Sequence, residues 1–360
     1  MKIAIFGAGQ LAMMMIEESS KLNHEFVVVD PSPNPPASKY VKHIQTDYTE
    51  QKTLDYIADN YDVATIDFEN VDISAMKFLE NKINVFPPSQ ALEVCQDRLL
   101  EKNLFKKLNI GVTKYKEIDN IAMLKDYCNG NESGYLLKSR RFGYDGKNQF
   151  KCDCDTDLLE NLLSKCSCII EEIVDFSTEV SLVCARQDNG HIIFYPLIEN
   201  FHKGGILKYS RFPYLNKELQ DTAERYGKDL LNYFDYVGVL VIEFFVTKHG
   251  KLIANEMAPR VHNSGHWSIE GSSRSQFELH VRAITGAIDN SSIKFQPSLM
   301  INVLSKYADN SILSKLGPHF IHSYNKEERD LRKLGHITIT KNSTEELDLI
   351  VSKYLNLFDI

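Results

Sequence analysis

Residues 255–267 read Asn255, Glu256, Met257, Ala258, Pro259, Arg260, Val261, His262, Asn263, Ser264, Gly265, His266, Trp267. This short stretch gathers a carboxylate, a guanidinium, two imidazoles, two amides and the only tryptophan of the chain. Just upstream, the apolar run 239–246 carries one carboxylate, Glu243, in its middle. Such a β-branched run predicts a buried strand, where an ionised group is costly unless it is paired or holds a metal. Residues 247–250 signal a turn, and 251–256 return as a second strand. A hairpin centred near Lys248 and His249 sets Glu243 opposite Ala254, or opposite Glu256 if the turn carries a bulge. In either register the two glutamates share one face, roughly 5–8 Å apart. A divalent cation would remove their repulsion, and a pair of oxygen ligands favours a hard ion such as Mg²⁺. Two surface glutamates on a partly solvated edge hairpin is the competing reading.

Other segments suit phosphate. Residues 139–149 form a glycine loop between two predicted strands, distinct from a P-loop, which needs G-x₄-G-K-[ST] before a helix. A loop of this kind can lay backbone amides over phosphate oxygens, and Lys138 supplies a point charge beside it. A plain hairpin with a surface lysine remains open on this segment alone. Near the C-terminus Lys326, Arg332 and Lys333 concentrate positive charge in an otherwise acidic chain, which by itself reads as a solvated charge run. Gly7-Ala8-Gly9-Gln10-Leu11-Ala12 matches G-x-G-x-x-G/A, with Asp30 about 20 residues on, the arrangement of a dinucleotide site. The motif itself reports only a helix N-terminus after a tight turn. Cys152/Cys154 and Cys166/Cys168 form two C-x-C pairs; structural zinc more often uses C-x₂₋₄-C, so they read as small, buried or half-buried residues of strands.

These residues need elements to hold them. Residues 1–90 alternate strand (2–6, 25–30, 63–68, 84–86) and helix (10–21, 53–60, 73–81), a βαβ pattern that predicts a parallel sheet covered by helices. One helix over 90–108 carries Asp97, Arg98, Glu101 and Lys102. Strands follow at 135–138, 168–174, 179–186 and 191–196, with helices at 157–165, 217–234 and 275–284. The tail shows short strands at 300–304 and 336–340 and a helix from 344.

At 360 residues the chain has room for two or three domains. A net charge of −8 argues against a nucleic-acid binder or an anionic membrane surface, while leaving room for a local basic pocket. The N-terminus lacks a secretory apolar region, and no window approaches the ~18 apolar residues of a span. Seven cysteines, an odd count, fit reduced thiols. The expectation is a cytoplasmic protein.

Taken in order, Lys138, the glycine loop, a strand ending Glu171-Glu172-Ile173-Val174, and the Glu243…Glu256 hairpin resemble the ATP-grasp superfamily. Within it, the chain resembles the 5-(carboxyamino)imidazole ribonucleotide synthase family. The resemblance rests on residues 65–71, Gln96-Asp97-Arg98, 143–149, Glu199-Asn200 with His202, 255–267, and Arg332-Lys333-Leu334-Gly335-His336, and it runs over nearly the whole chain. It implies an α/β and α+β fold: a Rossmann-like domain over 1–90, an ATP-grasp domain over 91–295 with a lid at about 110–180, and a C-terminal substrate-phosphate region over 296–360.

The resemblance also implies roles. Arg98 and Lys138 would contact ATP phosphates under a cover of Gly143, Tyr144, Asp145, Gly146, Lys147, Asn148 and Gln149. Glu171, Glu172, Ile173 and Val174 would face adenine, Glu179 the ribose, and His202 and Asn255 would lie near the nucleotide. Glu243 and Glu256 would hold Mg²⁺. Arg260, His262, Asn263 and Asp145 would act in catalysis, a guanidinium fork suiting a planar oxyanion. Glu69, Tyr144 and Asp145 would meet the aminoimidazole ribonucleotide, and Lys326, Arg332 and Lys333 its 5′-phosphate. The implied reaction carboxylates 5-aminoimidazole ribonucleotide with ATP and bicarbonate in purine biosynthesis, in a homodimer that passes product to a mutase. Other acceptors (biotin-carboxylase-like or formate-dependent ligases), a non-catalytic nucleotide-binding module and an NAD-dependent enzyme are the alternatives. The chain departs from the family at Ala12-Met13, where a glycine and a basic residue are usual. Asp67 stands where glutamate is common. Asn148 replaces a glycine, an exchange eased by asparagine's tolerance of left-handed backbone.

Overall fold

The computed structural model describes residues 1–128, 134–143, 148–152, 156–289 and 291–357. The described residues form three sheets. In the first, five parallel strands run in the order Lys42–Ile44, Glu25–Val29, Lys2–Phe6, Val63–Ile66, Asn84–Val85. Strand residues alternate between two cores: Ile3, Ile5 and Val28 pack on one face, while Ala4, Phe6 and Val27 pack on the other. Burial on both faces is why these strands read as continuous apolar runs. The first face is shared with helix Gln10–Glu18 and with helix Gln276–Ile284 of the next unit, so one core spans both. His280 seals the join: the Val239 N–H donates to its Nδ1 at 3.1 Å, and its Nε2 lies 2.9 Å from Thr65 Oγ1.

The second sheet is antiparallel and forms the floor. Its order is Leu252–Ala258, Gly238–Thr247, Phe176–Arg186, Ile198–Lys203, Ile206–Phe212, Ser298–Leu304, Lys333–Thr340, Phe320–Ser323, with Ile192–Phe194 beside Phe176–Arg186. The C-terminal strands thus extend the floor through the pairing of Ile206–Phe212 with Ser298–Leu304. The third sheet, Tyr115–Ile118, Cys168–Glu172, Tyr135–Ser139, Gln149–Lys151, has its own small core backed by two helices, Ile121–Cys128 and Thr156–Lys165.

Most expected elements are present, with three corrections. The helix expected over 90–108 is two helices, Ser89–Cys95 and Arg98–Lys107. The break has a side-chain cause: Asp97 caps the second helix, accepting from Leu99 N and Leu100 N. The strand expected over 168–174 ends at Glu172. Strands at Lys42–Ile44, Tyr115–Ile118, Ile198–Lys203, Ile206–Phe212 and Phe320–Ser323 were not expected, being short or rich in polar residues. Cys168 is buried and Cys152 and Cys166 half-buried; Cys166 and Cys168 remain free thiols with sulfurs 3.9 Å apart. Cys154 lies outside the described residues. Among those described, no helix is long and apolar enough to cross a membrane.

Candidate active site

The two glutamates of the hairpin pair directly. Glu243 lies opposite Glu256, while Phe244 lies opposite Ala254, so Asn255 is an extra residue between them. The bulge expected in the turn therefore sits in the ladder, next to the carboxylates. Glu243 Oε1 is buried without a hydrogen-bond partner, and the ring of His262 stands off at 3.8 Å through its Nε2. Burial, and then the carboxylate of Glu256, raise the Glu243 carboxyl to about 7 against the pull of His202. His262 cannot neutralise the pair, since burial and Arg260 hold its ring well below its ordinary pKa. An orphaned carboxylate oxygen facing a second carboxylate fits an oxygen-ligated divalent ion completed by phosphate oxygens and water.

The loop after this strand carries the remaining chemistry. Arg260 places Nε and Nη2 at 2.5 Å from Glu69 Oε2, and its Nη1 donates to Val261 O. Although burial opposes ionisation, Arg260 holds the Glu69 carboxyl below its ordinary value. Gln96 fixes the backbone around Glu69 by donating to the carbonyls of Glu69 and Val71. His262 Nδ1 accepts from Ser264 N and lies 3.0 Å from Ser264 Oγ, which continues through Ser181, Asn200 and Ser210 as a buried hydrogen-bonded row. The Asn263 side chain exchanges two amide hydrogen bonds with Asn302, at 3.0 and 2.8 Å. Asn302 escaped the sequence reading because it sits alone in an apolar strand.

On the nucleotide side, Arg98 Nη1 donates to Glu256 Oε2 at 3.1 Å and its Nη2 reaches Gly143 O at 3.4 Å. Lys138 is buried against Glu171 Oε2 at 2.8 Å. Burial opposes the charge on Glu171, but Lys102 and Lys138 hold it down at about 2. The Ile173 N–H is taken by Gly134 O, and Glu172 O accepts from Thr113. Asn148 adopts φ +55°, the left-handed backbone anticipated for it, and its carbonyl accepts from Ser139 N. Gln149 pairs with Lys138 across the ladder. His202 Nδ1 approaches Glu179 Oε2 to 2.7 Å, out of line for a hydrogen bond. Burial opposes charge on His202, and Glu179 and Glu243 raise its pKa nonetheless. Tyr144, Asp145, Gly146 and Lys147 lie outside the described residues.

One cleft of about 1230 Å³ brings much of this together. Glu69, Arg98, Gly143, Glu243, Glu256, Arg260, His262, Asn263, Lys326, Arg332 and Lys333 all line it. Lys138, residues 171–174, Glu179, His202 and Asn255 do not. Arg329 and Gln10 line it as well, and both were missed. Arg329 had a signal, its spacing from Lys326 and Arg332 in one short segment. Gln10 sits inside the glycine-turn motif, but its side chain was given no role there, since it meets Lys326 Nζ (2.5 Å) only in the fold. Burial and Arg332 lower the Lys326 ammonium to about 8.

The glycine turn is already filled. Gly9 N donates to Asp67 Oδ2 at 2.5 Å, and a Cβ on Gly7, at φ +96°, would lie 1.7 Å from Asp67 Oδ1. Burial raises the Asp67 carboxyl to about 7. Asp30 accepts from Ala8 N, Ser32 N and Tyr48 Oη. An internal carboxylate thus occupies the helix N-terminus where a dinucleotide would set its pyrophosphate.

Comparisons with known proteins agree with this arrangement. Residues 1–96 match the ribonucleotide synthetase preATP-grasp domain, 103–277 the ATP-grasp domain, and 298–349 the phosphoribosylaminoimidazole carboxylase C-terminal domain. The chain is 38% identical over 341 residues to N5-carboxyaminoimidazole ribonucleotide synthase of Pseudomonas aeruginosa, covering 94% of each. It is 34% identical over 355 residues to the enzyme of that name from Staphylococcus aureus, covering 96% of this chain and 94% of that one. The crystal structure of N5-carboxyaminoimidazole ribonucleotide synthetase from Thermus thermophilus matches with a TM-score of 0.90 at 36% identity, over 99% of this chain and 98% of that chain. A second, from Aspergillus clavatus in complex with ADP and 5-aminoimidazole ribonucleotide, matches with a TM-score of 0.89 at 26% identity, over 99% and 98%. The chain belongs to the N5-carboxyaminoimidazole ribonucleotide synthase family of ATP-grasp ligases.

Proposed function

We propose that the chain carboxylates 5-aminoimidazole ribonucleotide, using ATP and bicarbonate and releasing ADP and phosphate, as a step of purine biosynthesis. The observation that carries this reading is the cleft in which a carboxylate pair, a half-buried guanidinium and four cations of the 326–333 segment meet. The pair suits a metal–triphosphate, and the cations suit the phosphate of a ribonucleotide.

Bicarbonate is a poor electrophile, so its oxygen first attacks the γ-phosphate to give carboxyphosphate, and the exocyclic amine then captures that species or the CO₂ it releases. Carboxyphosphate hydrolyses readily, which calls for a closed, dry site. The work of the side chains is positioning and charge neutralisation. Arg260, with His262 and Asn263, orients the bicarbonate-derived oxyanion. Glu69 turns Arg260 toward the cleft and, with Tyr144 and Asp145, meets the aminoimidazole ribonucleotide. Lys326, Arg329, Arg332 and Lys333 hold its 5′-phosphate. Arg98, Lys138 and residues 143–149 hold the triphosphate, residues 171–174 the adenine, Glu179 the ribose, and His202 and Asn255 stand beside the nucleotide. Glu243 and Glu256 would hold Mg²⁺, which supplies charge neutralisation for the transferring phosphoryl group.

This reading divides the chain at residues 1–90, 91–295 and 296–360, with a lid at about 110–180. It places the protein in the cytoplasm as a homodimer whose product goes to a mutase. The test is phosphate release from Mg-ATP and bicarbonate with and without 5-aminoimidazole ribonucleotide. Strong stimulation by the ribonucleotide is expected. Release indifferent to it, from protein that binds ATP, would point to another acceptor.

A further inference from the structure

The helix Arg98–Lys107 grips the strand of Glu256 on both sides of that residue. Arg98 holds the Glu256 carboxylate itself. One turn on, Glu101 Oε1 accepts from Met257 N at 2.7 Å, and Lys102 Nζ donates to Asn255 O at 2.7 Å and reaches Ala254 O at 3.4 Å. Spacing of i, i+3 and i+4 puts these three side chains on one helix face. The bulge at Asn255 takes that residue out of the regular ladder, so its carbonyl needs a donor from elsewhere. Lys102 provides it.

Lys102 has a second attachment. Its ammonium lies 3.7 Å from Glu171 Oε2, the same oxygen that takes Lys138 at 2.8 Å. Glu171 belongs to the Cys168–Glu172 strand of the small sheet. A single ammonium, only 1% exposed and absent from the cleft lining, thus ties the floor strand of Glu256 to the strand that carries Lys138's partner.

We infer that Lys102 is a positioning residue that sets the placement of Glu256 and the seating of the small sheet together. Removing its donor frees the bulged backbone, and Glu256 then meets a metal–nucleotide from a less defined position. Removing its charge loosens the small sheet from the floor at Glu171. The inference rests on reading Glu243 and Glu256 as the metal pair.

The experiment is calorimetric titration of full-length protein with a non-hydrolysable ATP analogue, with and without Mg²⁺, for wild type and Lys102→Met. The variant should lose some metal-free affinity through the loosened small sheet, and on top of that the strengthening by Mg²⁺ should fall about 10- to 100-fold, the range for lost support behind a metal ligand. The KM for ribonucleotide should stay unchanged. A folded variant in which Mg²⁺ strengthens binding as much as in wild type overturns the inference. If Lys102→Met does not fold, Lys102→Gln keeps an amide donor for Asn255 without charge for Glu171. It should show a smaller loss in the same direction, and none at all would overturn the inference equally. Wild-type affinity indifferent to Mg²⁺ would remove the metal reading itself, and this inference with it.

Discussion

Arg260 and Glu69 form an ion pair in the cleft wall that joins the loop after one floor strand to a loop of the parallel sheet, 191 residues away. The guanidinium that the proposed chemistry offers to an oxyanion is thus held by a protein carboxylate in the free enzyme. Arg260→Gln should abolish ribonucleotide-stimulated phosphate release. It should also destabilise the protein, toward the lower end of the ~3–5 kcal/mol for breaking a buried pair, since Glu69 keeps 27% exposure. The Glu69 carboxyl is held low in the folded state, so its contribution is present above the ordinary carboxylate range and lost as pH falls through the folded value. The difference in urea stability between wild type and variant should therefore shrink at acid pH. A difference that stays constant well below the ordinary carboxylate range, down to about pH 3, would separate Glu69 from the effect.

Glu256→Gln should abolish Mg²⁺-dependent turnover while leaving the fold intact. It removes one of two facing carboxylates, which relieves Glu243, at the cost of the charge partner of Arg98. Circular dichroism and a melting curve would establish the fold, and phosphate release the activity. Activity like that of wild type would end the metal assignment.

The phosphate end offers a pH test. Lys326 has its pKa lowered to about 8 by burial and then Arg332, so its charge fades as pH rises through 8. Charge-assisted binding of a phosphate should fade with it, and kcat/KM for the ribonucleotide should fall above about pH 8. Lys326→Arg keeps its charge and should move that fall to higher pH; an unmoved profile would assign it to another group. At pH 7, Lys333→Ala and Arg329→Ala should each raise mainly KM, by about 10- to 100-fold if each loses a charged hydrogen bond of ~1.5–3 kcal/mol. An unchanged KM would take that residue out of the phosphate site.

The glycine turn makes a negative prediction. With Asp67 across the helix N-terminus, NAD⁺ or NADH should leave the melting temperature unchanged; a clear rise would restore the dinucleotide reading. Gly7→Ala should be strongly destabilising, because its Cβ meets Asp67 on a backbone that L-residues avoid. A melting temperature like that of wild type would mean that the turn relaxes away from Asp67.

The layers and the chemistry were legible along the chain: apolar runs, turns, a bounded loop of charged and amide residues, and the order in which they occur. Two glutamates on one hairpin face followed from alternation alone, because successive side chains on a strand point to opposite sides. Their register did not. It was decided by the bulge at Asn255, whose carbonyl is held by Lys102 from a helix 153 residues earlier. The break between Ser89–Cys95 and Arg98–Lys107 was invisible for the same reason: no glycine or proline marks it. Asp97 is drawn out as a cap and clamped by Arg140, 43 residues on. The fingerprint at Gly7-Ala8-Gly9 was legible as an anion-friendly turn, but which anion fills it was decided by Asp67, 58 residues away from Gly9. Local periodicity encodes which face a residue takes, whereas partners distant in the chain, brought together only by packing, decide what that residue meets there.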